Sequence, residues 1–179
     1  GHIANMEKIL TICNANNVTL IEDCAHTMGA TWSGIKSGNF GKVAAFSTQT
    51  YKHINSGEGG LLTTNDSDLA ARAVISSGSY MLYDRHGAIP NDQAFEAIKL
   101  KVPNYSGRMD QLRATIIRSQ LPLLNKNIER WNKLYNLLSS SLSSINEITI
   151  PLRKSEEAFV GSSIQFRINC HESKKIVKF

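Results

Sequence analysis

Apolar and polar positions alternate along this chain in short, distinct patterns. Met6, Ile9, Leu10 and Cys13 recur at helical spacing and predict an amphipathic helix over roughly 4–15, closed by Asn16-Asn17. Val18-Thr19-Leu20-Ile21 is an apolar, β-branched run and reads as a short buried strand. Residues 29–41 are rich in Gly, Ser and Asn and read as loop. Val43 to Phe46 is a second buried strand, Gly57 to Gly60 a tight turn and Leu61 to Thr64 a third strand. The polar run 65–68 supplies caps for a helix over about 67–76.

The second half is more helical. Residues 77–107 are irregular, with one short helix near 92–98. Leu112, Ile116, Ile117, Gln120 and Leu121 give the period of a strong helix from Asp110 to Leu124, which Pro122 should kink or stop. A further helix runs over about 125–142 through Ile128, Trp131, Leu134, Tyr135 and Leu138. The serines of 139–144 mark a boundary, and Ile148 to Ile150 and Ser163 to Ile168 alternate like strands of another small unit. Helix, strand, loop, strand, turn, strand, helix is the order of an α/β fold.

Composition adds limits. The chain has 179 residues, 41% hydrophobic and 20% charged, with a net charge of +5, an ordinary globular composition. Length alone suggests one domain. The excess charge sits in the last third, net +4 over 121–179, without interleaved aromatic residues, so a solvated basic face fits better than a nucleic-acid stripe. No apolar run approaches the roughly 20 residues of a membrane helix, and 1–6 carry no signal-peptide pattern. Cys13, Cys24 and Cys170 are scattered without metal-ligand spacing, which points to a reducing cytoplasmic setting.

Candidate chemistry gathers at strand ends. The first strand runs into Glu22-Asp23-Cys24-Ala25-His26, and the second ends at Ser47 with Lys52 five residues later and Gly57-Glu58-Gly59-Gly60 just beyond. Open α/β sheets bind ligands past the carboxyl ends of their strands. Asp23, His26, Ser47 and Lys52 are thereby expected on one rim. Each also has an ordinary reading. Lys52 could be a solvated loop lysine, Asp23 a helix cap, Ser47 a strand-end hydroxyl, His26 a backbone partner and 57–60 a hairpin turn. The 57–60 turn lacks the Gly-Lys-Ser/Thr ending of a nucleotide-binding loop.

Taken together, Ile21 to Ala30, Gly41 to Ser47, Lys52 with Gly57 to Gly60, and Gly107-Arg108-Met109-Asp110 leading into the helix with Gln120-Leu121 resemble the DegT/StrS-type sugar aminotransferases. These are enzymes of fold type I that depend on pyridoxal 5'-phosphate. The resemblance implies Lys52 as the Schiff-base lysine, Asp23 as the partner of the pyridine nitrogen, Ser47 as a phosphate ligand and His26 as a residue beside the ring. It implies transfer of an amino group, from glutamate, to a keto-sugar linked to a nucleotide, in a cytoplasmic homodimer with no nucleic-acid or membrane partner. A carboxylate about 4 Å from a ring nitrogen, at an effective dielectric near 20, is worth about 4 kcal/mol, or about three pKa units in favour of the protonated ring. Removing a lysine from water beside a cationic ring favours its free amine.

Two departures qualify the resemblance. Ser106 stands where members usually carry an Asn that reaches the partner subunit's cofactor phosphate, and Asn104 could substitute. Members are also roughly twice as long. The chain is expected to comprise the later part of a large domain (1–124, mainly parallel sheet flanked by helices), a linking helix (125–142) and the start of a small α+β domain (143–179). The alternatives are a truncated, inactive remnant of the fold or a dehydratase relative, in which a His replaces the lysine.

Overall fold

The computed structural model describes residues 1–78 and 90–169. The basic run of Lys174, Lys175 and Lys178, and Cys170, lie outside the described residues. Helix α1 (Met6–Ala15) starts where the Asn5 side chain accepts the Lys8 N–H at 3.0 Å. It ends at Asn16, and Asn17 takes a left-handed φ of 52°.

A three-stranded sheet follows, in the order β1–β4–β5: β1 (Ile21–Asp23), β4 (Val43–Ser47) and β5 (Gly60–Thr63). β1 and β4 are parallel, with Ile21, Glu22 and Asp23 opposite Val43, Ala44 and Ala45. β4 and β5 are antiparallel, so these three strands form a mixed sheet. The first strand differs from the expected buried run. Val18 is 57% and Ile21 67% exposed, and the inward residue of β1 is the carboxylate Glu22. The partner strand decides this, because β4 begins at Val43 and fixes the register from Ile21 onward.

The expected loop between β1 and β4 contains a hairpin, β2 (Thr31–Trp32) and β3 (Ile35–Lys36). Ser33 and Gly34 both take positive φ, 48° and 81°, as a two-residue turn matched to strand twist requires. β2 also pairs with β7 (Glu157–Ala158), an element the sequence pattern does not show. Trp32, with 1% of its surface exposed, fixes this second sheet to the core.

Helix α2 (Ser67–Ser77) is capped by Asp66 and ends at Gly78, whose φ is 105°. It packs with α3 (Asp92–Glu96) around Ala71, Ile75, Phe95 and Ile98. Helix α4 (Gln111–Gln120) passes through a 3₁₀ turn at Leu121–Leu123, which holds Pro122, into α5 (Leu124–Ser143). Pro122 thus ends the α-helical ladder without separating the two helices. β6 (Ile148–Thr149) and β8 (Arg167–Ile168) form a small antiparallel pair. No helix among the described residues is long and apolar enough to cross a membrane.

Candidate active site

Alternation along β1 separates two adjacent carboxylates. Glu22 points inward, where Oε1 accepts the N–H groups of Phe40 and Gly41 at 2.7 Å each and Oε2 that of Gly38 at 2.8 Å. Asp23 therefore points to the other face. Register places it beside Ala45, and Ser47 lies two residues, roughly 7 Å, further along the same face of β4. One oxygen of Asp23 accepts the Ala25 N–H at 3.0 Å, and the other has no hydrogen-bond partner among the described residues. The Ser47 hydroxyl accepts the Gln49 N–H at 3.3 Å and keeps its own proton to donate. A cleft of about 450 Å³ opens on this face, lined by Ile21, Asp23, Ala25, Ala45, Ser47 and Gly59 among others.

The β4–β5 connection brings in the amine. Thr48 donates its N–H to Gly59 C=O, Ser56 to Thr48 C=O and Thr50 to Gly57 C=O, each at 2.9 Å, which closes the loop at its base. Thr48, His53, Ile54 and Ser56 face inward and are buried, so Tyr51 is left outward and Lys52 half-exposed. Gly59 has a φ of 142°, and a Cβ there would lie 2.7 Å from Thr48 Oγ1 and 2.9 Å from Met109 Cε. The turn needs glycine for its torsion and for its space.

Lys52 Nζ lies 2.8 Å from His26 Nε2. An ammonium only donates, so Nε2 accepts and the neutral ring carries its proton on Nδ1. Partial burial, and then the Lys52 charge, hold the His26 pKa below its usual value, while Asp23 pulls the other way. Beneath the lysine, His53 Nε2 meets Ser162 Oγ at 2.7 Å and its ring lies 5.4 Å from that of Trp131. Burial is the main cause that pushes the His53 pKa down to about 4.

Four of the five expected site residues thus fall into two pairs. Asp23 and Ser47 share the cleft, and Lys52 meets His26 at 2.8 Å. The fifth is not brought to them. Ser106 is exposed at a φ of 54°, bonded through its N–H to Asn104 Oδ1 at 2.7 Å, and does not line the cleft. Asp23 and Ser47 would suit the ring nitrogen and the phosphate of pyridoxal phosphate, with the small Ala25 and Ala45 beside them on the lining, while Lys52 and His26 do not line the cleft.

The family model for DegT/DnrJ/EryC1/StrS aminotransferases matches residues 1–179. The chain belongs to this family. Among curated relatives of this DegT-family chain, GDP-perosamine synthase of Caulobacter vibrioides is 32% identical over 152 residues, 84% of this chain and 38% of that protein. L-glutamine:scyllo-inosose aminotransferase of Streptomyces griseus is 29% identical over 143 residues, 80% of this chain and 34% of that protein. Among solved structures, the E. coli GDP-4-keto-6-deoxy-D-mannose-3-dehydratase with bound hydrated pyridoxal phosphate superposes with a TM-score of 0.82 at 22% identity. That superposition covers 99% of this chain and 47% of the other, and it shows the shared fold. The chain spans between about a third and two fifths of the length of these curated relatives.

Several residues that shape the site of this DegT-family chain escape a sequence reading. Glu22, given no role by the sequence pattern, holds the backbone of Gly38, Phe40 and Gly41. His53 and Ser162 meet across 109 residues of sequence. Gln120, quoted with Leu121 for the resemblance but given no contact by it, bonds the backbone of Asn55. Only tertiary placement reveals these contacts, since none leaves a local periodicity.

Proposed function

We infer that the full-length protein is a pyridoxal-phosphate-dependent aminotransferase that passes an amino group from glutamate to a keto-sugar, most naturally one carried on a nucleotide. The observation that carries this reading is the register of β1 and β4, which sets Asp23 and Ser47 on one face beside the loop that presents Lys52. Pyridoxal phosphate, when bound, supplies the electron sink that withdraws the Cα electron pair of an amino acid. Asp23 keeps the ring nitrogen protonated, and Ser47 donates a hydrogen bond to the phosphate. Lys52 would hold the cofactor, and its free amine would carry a proton as general base and acid. His26 accepts from the Lys52 ammonium in the free site, which fixes where the amine points.

The substrate class is supported by relatives named for GDP-perosamine and for scyllo-inosose, both polyhydroxylated ring compounds bearing or gaining an amino group. The retained Lys52 favours the transaminase over the dehydratase branch. We place the enzyme in the cytoplasm as a homodimer, with Ser106 or Asn104 reaching the partner's site, and take 1–124, 125–142 and 143–179 as its large-domain part, linking helix and small-domain start.

The test is borohydride reduction of the full-length protein after incubation with pyridoxal phosphate, followed by peptide mapping. Label concentrated on Lys52, and lost from that peptide in Lys52→Ala, is the expected result. Label scattered over surface lysines would reduce the chain to an inactive remnant of the fold.

A further inference from the structure

We propose that Gln120 is the positioning residue for Lys52, acting through Asn55: its side-chain amide pins the turn that presents the lysine amine to His26. This rests on the reading above only in taking Lys52 as the reactive amine. Gln120 is the last residue of α4 and is half-buried. Its Oε1 accepts the Asn55 N–H at 3.0 Å and its Nε2 donates to the Asn55 C=O at 2.6 Å. Nε2 also reaches the Ile116 C=O of its own helix at 3.2 Å, which fixes the plane of the amide. The partners force the orientation of that amide, since an N–H requires an acceptor and a carbonyl a donor.

The placement matters because of what else holds the turn. The loop is closed at its base by bonds among Thr48, Thr50, Ser56, Gly57 and Gly59. Within 52–55, Lys52 N–H bonds back to Gln49 C=O, and His53 and Ile54 pack downward. Asn55 N–H and C=O have no other partner among the described residues. Gln120 is thus the polar tie at the far end of the turn, and it grips both backbone groups of one residue as a neighbouring strand would. Without it, two backbone groups must turn toward water, and the turn rotates three residues from Lys52. The 2.8 Å contact between Lys52 Nζ and His26 Nε2 depends on that rotation being blocked.

His26 reports the contact without any cofactor. Partial burial and then the Lys52 charge lower its pKa, and Asp23 raises it. The experiment follows the His26 imidazole by NMR against pH in the full-length apoprotein, and measures in parallel the rate at which borohydride traps pyridoxal phosphate on Lys52. In Gln120→Leu, the His26 midpoint should move up toward its ordinary value and trapping should slow about tenfold. Gln120→Glu keeps an acceptor for the Asn55 N–H but sets its second oxygen against the Asn55 C=O, so it should also raise the midpoint and slow trapping. A folded Gln120→Leu protein with an unchanged His26 midpoint and trapping rate overturns the proposal. A lower melting temperature with both readouts unchanged also overturns it, since Gln120 would then only stabilise. If Leu prevents folding, the His26 midpoint of the Glu variant decides. If wild-type protein traps no cofactor on Lys52, the aminotransferase reading fails while the His26 titration still judges Gln120.

Discussion

Replacing Glu22 by Gln tests the frame on which Asp23 stands. The buried carboxylate accepts three backbone N–H bonds, two on Oε1 from Phe40 and Gly41 and one on Oε2 from Gly38. A glutamine keeps one oxygen, which can serve Phe40 and Gly41. Its NH₂ then faces the Gly38 N–H, donor against donor. A hydrogen bond to a charged group contributes about 1.5–3 kcal/mol, and a stranded buried donor costs about 1–3 kcal/mol. Allowing for relaxation, the variant should lose about 2–4 kcal/mol, a large share of the 5–15 kcal/mol typical of a domain. Urea unfolding followed by circular dichroism should show a midpoint lower by roughly 1–2 M, for slopes of about 1–3 kcal/mol/M. Because Glu22 precedes Asp23 in the same three-residue strand, trapping of pyridoxal phosphate on Lys52 should weaken as well. A variant within about 0.5 kcal/mol of wild type would refute the reasoning, because surface changes away from buried networks fall in that range.

The remaining predictions concern the scaffold beneath Lys52. His53 has a folded pKa of about 4, held below 6.5 chiefly by burial. An unfolded chain therefore takes up a proton on this residue at higher pH than the folded one. Its stabilisation is present above pH 6.5 and lost as pH falls through about 4, roughly 3 kcal/mol in all. His53→Gln should flatten urea midpoints measured between pH 7 and pH 4; parallel profiles for variant and wild type would count against this. Gly161→Ala should destabilise by about 1–3 kcal/mol, because the new Cβ would lie 2.5 Å from Tyr135 Cβ. A thermal melt at or above the wild-type midpoint would show that α5 yields where close packing says it cannot.

Where the sequence could be read, it was because the determinant was local. Asp66 before Ser67 marks the start of α2, the period through Leu112, Ile116 and Ile117 marks α4, and Pro122 marks its end. The positions of Asp23, Ser47 and Lys52 at or just past two strand ends could be read because they lie at short spacings from the apolar runs. The misses were long-range. Whether Val18 to Ile21 was buried depended on where β4 pairs, and that put Glu22 inward instead. The β2–β3 hairpin had a signal in Ser33-Gly34, masked by the surrounding glycines and serines. β7 had none, since two residues paired across more than 120 positions leave no period.

The same contrast explains how the lysine is held. Few of the contacts around Lys52 that come from outside its loop are near it in sequence. Asn132 of α5 donates to the Phe159 C=O and accepts the Gly161 N–H, which ties the segment after β7 to the helix. That places Ser162, which meets His53, the residue after Lys52. Trp131, beside Asn132, covers the same imidazole, and Gln120 holds Asn55 from α4. Three elements separated along the chain thus converge under one turn. A turn supported this way is ordered only when α4, α5 and 159–162 are in place together, so local opening of any one releases the others' hold on it. The loop carries Lys52, and the second half of the chain gives that loop a fixed position.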